Sequence, residues 1–270
     1  MAGGGLTTGP TSGDDHRLTV RLGELAQAHA DRAAARAGVP AVRLDRLAAE
    51  PLRLDEDFCR EVADRYDAAP MVTAGTDRGY TRLAAENLRQ FRLIGEAGIR
   101  VLPWAGPGQP YRDSRELVAR VRSTGLLHVF LTRHGHGPAG ADGDHPLRAP
   151  VGVRAGGEEL LHNDIFRAVH DVFGHVLFGN TFGPRGEFRA TRCHLAMYPP
   201  DLHPLVFAEL VGQLCWFFHG PHLRRPDGTL PRRGEPGYVP PPRRPYPPQK
   251  RLVYDRRTLD RFAALFTSPC

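Results

Sequence analysis

Between Phe166 and His175 the chain reads Phe-Arg-Ala-Val-His-Asp-Val-Phe-Gly-His, and no other stretch limits its fold as much. His170 and His175 lie five residues apart. On an ideal α-helix that spacing separates them by about 140° around the axis, so the two imidazoles would not converge. Gly174, directly before the second histidine, permits the helix to end or bulge, and either distortion swings His175 back toward His170. The bland alternative is a pair of satisfied buried histidines with Asp171 as acceptor, an arrangement uncommon without a function. Two imidazoles and one carboxylate on converging helices make an open-faced iron site of the kind that activates dioxygen. Glu209, in a later helical segment, is the expected carboxylate.

Other polar groups compete for roles around this pair. Glu187 is the main rival for the acid, although an acid in the first turn of a helix is also favoured by the helix dipole alone. Glu187 and His194 are seven residues apart and share a helical face. They are candidates to hold substrate, to orient the ligands from behind, or to bind a second metal. Gln213 follows Glu209 by four residues, so it can hold that carboxylate or bond a group on the metal. Asp171 cannot face the same way as His170 and is expected to position the backbone or a neighbouring His or Arg. Phe173 and Trp216, with Phe166 and Phe217, surround these groups; most read as core, and one or two as walls of an apolar substrate pocket.

The hexapeptide His170-Asp171-Val172-Phe173-Gly174-His175 resembles the metal motif of the pterin-dependent aromatic amino acid hydroxylases, most closely the bacterial phenylalanine hydroxylases. The resemblance covers about residues 160–220. It implies a mainly α catalytic domain in which Fe(II) is bound by His170, His175 and Glu209. The implied reaction is O2-dependent monooxygenation of a small aromatic or amino-acid-like substrate, with a tetrahydropterin as electron donor. No residues are assignable to a pterin, so a pterin-independent iron oxygenase, or a two-metal one that also uses Glu187 and His194, stands beside it. The dipeptide His170-Asp171 is also the centre of the HD-domain metal phosphohydrolases. That fold would need an upstream ligand such as His128 or His134 and a downstream one such as Asp201. A zinc staple would need a fourth ligand, for which His194 is available.

Composition excludes several other classes. Of 36 basic residues only Lys250 is lysine, so the formal charge of +6 reflects an arginine bias more than a binding surface. The arginines are scattered among acids except in one Pro-rich region, which argues against nucleic acid as a partner. No run approaches the roughly 18 apolar residues that span a bilayer. Four cysteines without a C-x-x-C pair, and an N-terminus without a signal-peptide pattern, point to a cytoplasmic protein with free thiols. Eleven of the 13 histidines fall between His128 and His222, placing the chemistry mid-chain. A small-molecule substrate and O2 are the expected partners, and a homo-oligomer remains open.

The expected fold is mainly α with a small, two-stranded β-sheet, in one catalytic domain over residues 16–270 behind a disordered tail at Met1–Asp15. Apolar periodicity predicts helices over His16–Ala37, Asp55–Tyr66, Tyr80–Ala97, Ser114–Ser123, the motif segment with Asn163 as N-cap, Glu187–Met197, His203–Phe218 and Arg257–Phe266. Ile99–Leu102 and Leu126–Leu131 read as strands, Thr132–Pro150 as a loop near the site, and Gly220–Gln249 as an irregular Pro/Arg-rich arm.

Overall fold

Helix starts in this chain are written in short acids placed before apolar periodic runs. Asp55 caps α3 (Glu56–Ala68) by accepting from the Asp57 and Phe58 amides. Asp113 caps α5 (Ser114–Thr124) by accepting from the Glu116 amide, while the Glu116 carboxylate reaches back to the Arg112 amide. Such reciprocal pairing satisfies donors that a helix otherwise leaves orphaned.

The structure, a computed structural model, describes residues 12–135 and 145–266. It is mainly helical. The remaining helices are α1 (Ser12–Ala37), α2 (Leu44–Ala49), α4 (Asp77–Glu96), α6 (Thr132–Gly135), α7 (His162–His170), α8 (Pro184–Leu195), α9 (His203–Phe207), α10 (Gln213–His219) and α11 (Arg256–Ala264). Strands β1 (Arg100–Pro103) and β2 (Leu126–Val129) pair in parallel, with Val101 opposite Leu127, and α5 supplies the crossover a parallel pair requires. Strands β3 (Pro150–Ala155) and β4 (Glu158–Leu161) form an antiparallel hairpin. There are thus two small sheets rather than one.

Two apolar clusters fill the interior. One gathers α1, α4, α5, β2 and the inner face of α7 around Leu22, Ile94, Leu117, Leu127, Ile165 and Val169. The other gathers α3, α9, α10 and α11 around Phe58, Tyr66, Phe188, Phe207 and Phe262. Helix α7 sits at the seam, giving Ile165 and Val169 to the first cluster and Phe166 to the second. A helix gripped on both faces is a rigid support for a polar site.

Several expectations need correction. Ser12–Asp15 form the first turn of α1 rather than tail, and residues 1–11 lie outside the described residues. Helix α7 is opened not by Asn163 but by Leu161, whose amide donates to Asp164 Oδ2 at 2.8 Å. Asn163 instead donates to Thr132 Oγ1, tying α7 to α6. Helix α2 and the β3–β4 hairpin were not anticipated; Thr132–Pro150 contains α6 and a short 3-10 turn at Pro146–Arg148, with residues 136–144 outside the described residues.

Candidate metal centre

Helix α7 does not end at His170. It continues through a π-helical turn, Asp171–Val176, in which the Leu177 amide donates to the Val172 carbonyl five residues back. A π turn brings residues five apart nearly above one another, and such turns recur at functional sites. The rings of His170 and His175 stand 5.0 Å apart at 90°. The expected bulge is therefore present, but Gly174 serves it by being small rather than by adopting a left-handed backbone, since it is absent from the positive-φ glycines. A Cβ at 174 would lie 3.1 Å from both His170 Cε1 and Ala190 Cβ.

The acid that joins them is Glu187, not Glu209. Among the described residues, His170, His175 and Glu187 alone form a group whose ligand atoms all lie within 4.8 Å of one another. Glu187 Oε2 is 3.2 Å from His170 Nε2 and 3.4 Å from His175 Nε2. Helix α8 is opened by Pro184 at its first turn, which places Glu187 early in the helix. Gly186 lets that turn press onto the preceding loop: a Cβ there would overlap the Thr181 carbonyl. The Glu187 side chain keeps 22% of its surface exposed while His175 keeps 1%, so the cluster opens on its carboxylate side.

Hydrogen bonds behind the rings settle which nitrogen faces inward. Gln90 Nε2 donates to the Met197 carbonyl, leaving its Oε1 to accept from His194 Nε2 at 3.0 Å. His194, neutral because burial and the nearby His170 hold it well below the usual imidazole range, then presents Nδ1 as an acceptor. His170 Nδ1–H donates to it at 3.3 Å. His175 Nδ1–H donates to the Asn180 carbonyl at 3.1 Å, and Asn180 Nδ2 in turn donates to the Gly174 carbonyl. Each ring is therefore held from behind at Nδ1 and turns its Nε2 toward the same carboxylate oxygen. Two ring nitrogens and one carboxylate oxygen thus converge on one point, which either protons or a metal cation can occupy. With protons alone, burial of His175 is outweighed by the Glu187 charge, which raises it to about 9. Burial of Glu187 is likewise outweighed by His175 and His170, which pull it down to about 2.

The other candidates fall elsewhere. Glu209 lies on a second π turn, Ala208–Gly212, where it accepts from the Tyr80 hydroxyl and from Gln213 Nε2 at 2.8 Å. His145 Nε2 stands 3.8 Å from it. Burial raises its carboxyl to about 7 against the pull of those two donors. Gln213 thus holds Glu209, one of its two anticipated roles, and both act away from the histidine pair. His194 supports His170 from behind, and its two nitrogens face His170 and Gln90 rather than a second ion. Phe173 is wholly buried in the first apolar cluster. Trp216 is core as well, its indole N–H donating to Asp67 and its ring stacked on His222 at 3.9 Å. Asp201 is paired with Arg82 and His134 is exposed, so neither of these HD-type ligand candidates joins the group.

Asp171 is half-buried beside the pair. Burial pushes its carboxyl up against the pull of His175, His170 and Arg167. It borders a cavity of about 350 Å³ together with Arg167 and Phe182. Phe182 packs edge-on against His175, ring centres 5.0 Å apart. Gln90, Asn180 and Phe182 were not singled out from the sequence; their polar or aromatic character carries no signal apart from the fold. Among the described residues no helix is long and apolar enough to cross a membrane. Comparison with protein-family models, with curated proteins and with solved structures returned no match.

Proposed function

We propose that the protein is a mononuclear non-haem iron, O2-dependent monooxygenase acting on a small substrate, with Fe(II) held by His170, His175 and Glu187. One observation carries the reading: the ligand atoms of two imidazoles and one carboxylate lie within 4.8 Å of one another, each ring braced from behind at Nδ1. Two neutral histidines and one acid on one side of an ion is the donor set of the facial iron oxygenases. The motif's resemblance to the aromatic amino acid hydroxylases supports the same reading and an hydroxylase-like catalytic domain, with the carboxylate role moved from Glu209 to Glu187. Ferrous iron bound there would supply open positions at which dioxygen is activated, with the two electrons of a monooxygenation coming from an added donor such as a tetrahydropterin. The chain's own part is to hold the site and exclude water. Helices α7 and α8 fix the three donors, the two apolar clusters close the back, and Phe182 shields the ring of His175. No residue is assignable to a pterin, so the electron donor is left to experiment.

Anaerobic reconstitution followed by metal analysis tests the reading. One iron per chain is expected, lost in His170→Ala, His175→Ala and Glu187→Ala and retained in Glu209→Ala. Oxygen uptake should follow addition of a reductant, a tetrahydropterin or ascorbate, with a panel of small substrates. Retention of zinc with no oxygen uptake, or manganese-dependent release of phosphate from a nucleotide, would replace the oxygenase with a hydrolase.

A further inference from the structure

Helices α3 and α10 pack side by side in the second apolar cluster. A Cβ at Gly212, just before α10, would stand 3.1 Å from the Tyr66 ring near the end of α3. At the other end, the Arg224 guanidinium beyond α10 donates to the Arg60 carbonyl near the start of α3. The two helices therefore run antiparallel. Seven residues on from Gly212 and seven back from Tyr66, this register sets His219 beside Cys59. Cys215 lies four residues before His219, on the same face of α10. Both cysteines are buried, and neither is in a disulfide. His219 is half-buried, so the pair lies one side chain below the surface.

The two thiols are not equivalent. The Cys59 sulfur accepts from the Cys215 thiol, which holds Cys59 below the usual thiol range against burial; His219 adds to that pull and Asp55 opposes it. Burial and the same bond hold Cys215 well above that range. Both ring nitrogens of His219 are buried with no closer partner among the described residues, so Cys59 is the group this imidazole acts on. A sulfur with thiolate character beside a protonated one is the arrangement of an attacking and a resolving cysteine. Cys193 offers the contrast: it is equally buried, and burial pushes it up to about 12 with no thiol among the groups that act on it.

We propose that Cys59 and Cys215 form a reversible dithiol–disulfide site between α3 and α10, oxidised by a hydroperoxide with Cys59 as the attacking thiol. The Cys59 sulfur attacks one peroxide oxygen, the O–O bond breaks, and the other oxygen leaves with the thiol proton as water. The sulfenic acid left on Cys59 is then attacked by the Cys215 sulfur; the S–O bond breaks, and the hydroxyl leaves with the second thiol proton as water. Two thiols give up two electrons and two protons, and one hydrogen peroxide becomes two waters. The disulfide would staple α3 to α10. It needs neither the proposed iron centre nor its ligands.

The experiment treats the full chain with hydrogen peroxide at increasing dose, in the presence of a chelator so that no metal diverts the peroxide. Free thiols are then alkylated and the peptides mapped by mass without reduction. The expected product is a linked Cys59–Cys215 peptide, lighter than its two thiol peptides by about 2 Da, the mass of two hydrogens. It should form while circular dichroism still shows native helix, and dithiothreitol should remove it. Oxidation of Cys193 should be slower by about tenfold or more. In Cys215→Ser, a sulfenic acid should persist at Cys59 and be trapped by dimedone, while Cys59→Ser should leave Cys215 reduced at the same dose. No linked peptide, a linked peptide that forms only after the helical signal is lost, Cys193 oxidised as fast, or Cys59 paired with Cys193 or Cys270 would each overturn the proposal. Should a serine variant fail to fold, the wild-type peptide map alone decides.

Discussion

A methyl group added at position 174 would stand 3.1 Å from Ala190 Cβ, 3.1 Å from His170 Cε1 and 3.2 Å from His170 Nδ1. Carbon atoms in good contact sit about 3.5–4.0 Å apart, so Gly174→Ala forces its neighbours back by several tenths of an ångström. Ala190 belongs to α8 and moves only with that helix, which carries Glu187. The His170 ring gives more easily, and its motion disturbs the 3.3 Å bond to His194 that sets its tautomer. Overpacking of this kind costs about 1–3 kcal/mol. Alanine in a helix gains about 1 kcal/mol over glycine, leaving a net loss of about 0–2 kcal/mol. Metal affinity should fall further, by about 10–100-fold, the range seen when the support behind a metal-binding histidine is lost. Denaturant unfolding of the metal-free protein and an Fe(II) titration separate the two effects. Wild-type affinity in Gly174→Ala would show that the space beside His170 does not hold the ring.

Further expectations follow from the same geometry. His194→Phe removes the acceptor behind His170 Nδ1 and should lower Fe(II) affinity about 10–100-fold with the fold retained by circular dichroism; unchanged affinity would remove the relay from the account. Glu209 has a folded pKa of about 7 against an ordinary 4.5, so the stability its protonated form confers is complete below pH 4.5 and is lost as pH rises through 7. That interval corresponds to about 3 kcal/mol. Glu209→Gln should therefore match wild type at pH 4.5 and unfold at higher denaturant at pH 8. Fe(II) at a hundred times its dissociation constant should stabilise the native state by about 2.7 kcal/mol, reversed by chelator; a melting temperature indifferent to metal would contradict binding to the folded form.

Much of the architecture was readable because its signals are local. Asp55 and the Asp113–Glu116 pair mark helix starts by hydrogen bonds made within four residues, and both helices begin there. The β3–β4 hairpin is less legible: Gly156 and Gly157 take the positive φ of a tight two-residue turn, but the strands beside them are too short for a clear alternating pattern. The start of α7 is hard to place because Asn163 and Asp164 are both good capping residues; in the structure both bond Thr132, and Asp164 alone also reaches back to the Leu161 amide. That Glu187 rather than the expected Glu209 lies beside the two rings has a tertiary reason. Glu187 and Glu209 each lie in the first turn of a helical segment near aromatic residues, and composition does not separate them. What does is proximity along the chain: α8 follows the motif through one short loop and packs back against its π turn, as consecutive elements tend to. Glu209, a further helix away, is engaged by Tyr80 instead.

The central claim is that one ion is shared by His170, His175 and Glu187. A crystal structure of protein loaded anaerobically with Fe(II), with anomalous scattering measured at the iron edge, tests it most directly. A single peak about 2.0–2.2 Å from both Nε2 atoms and a Glu187 oxygen, the usual metal–ligand bond lengths, is the expected result. A peak bonded to Glu209, or no peak between the two rings at full iron loading, would contradict it.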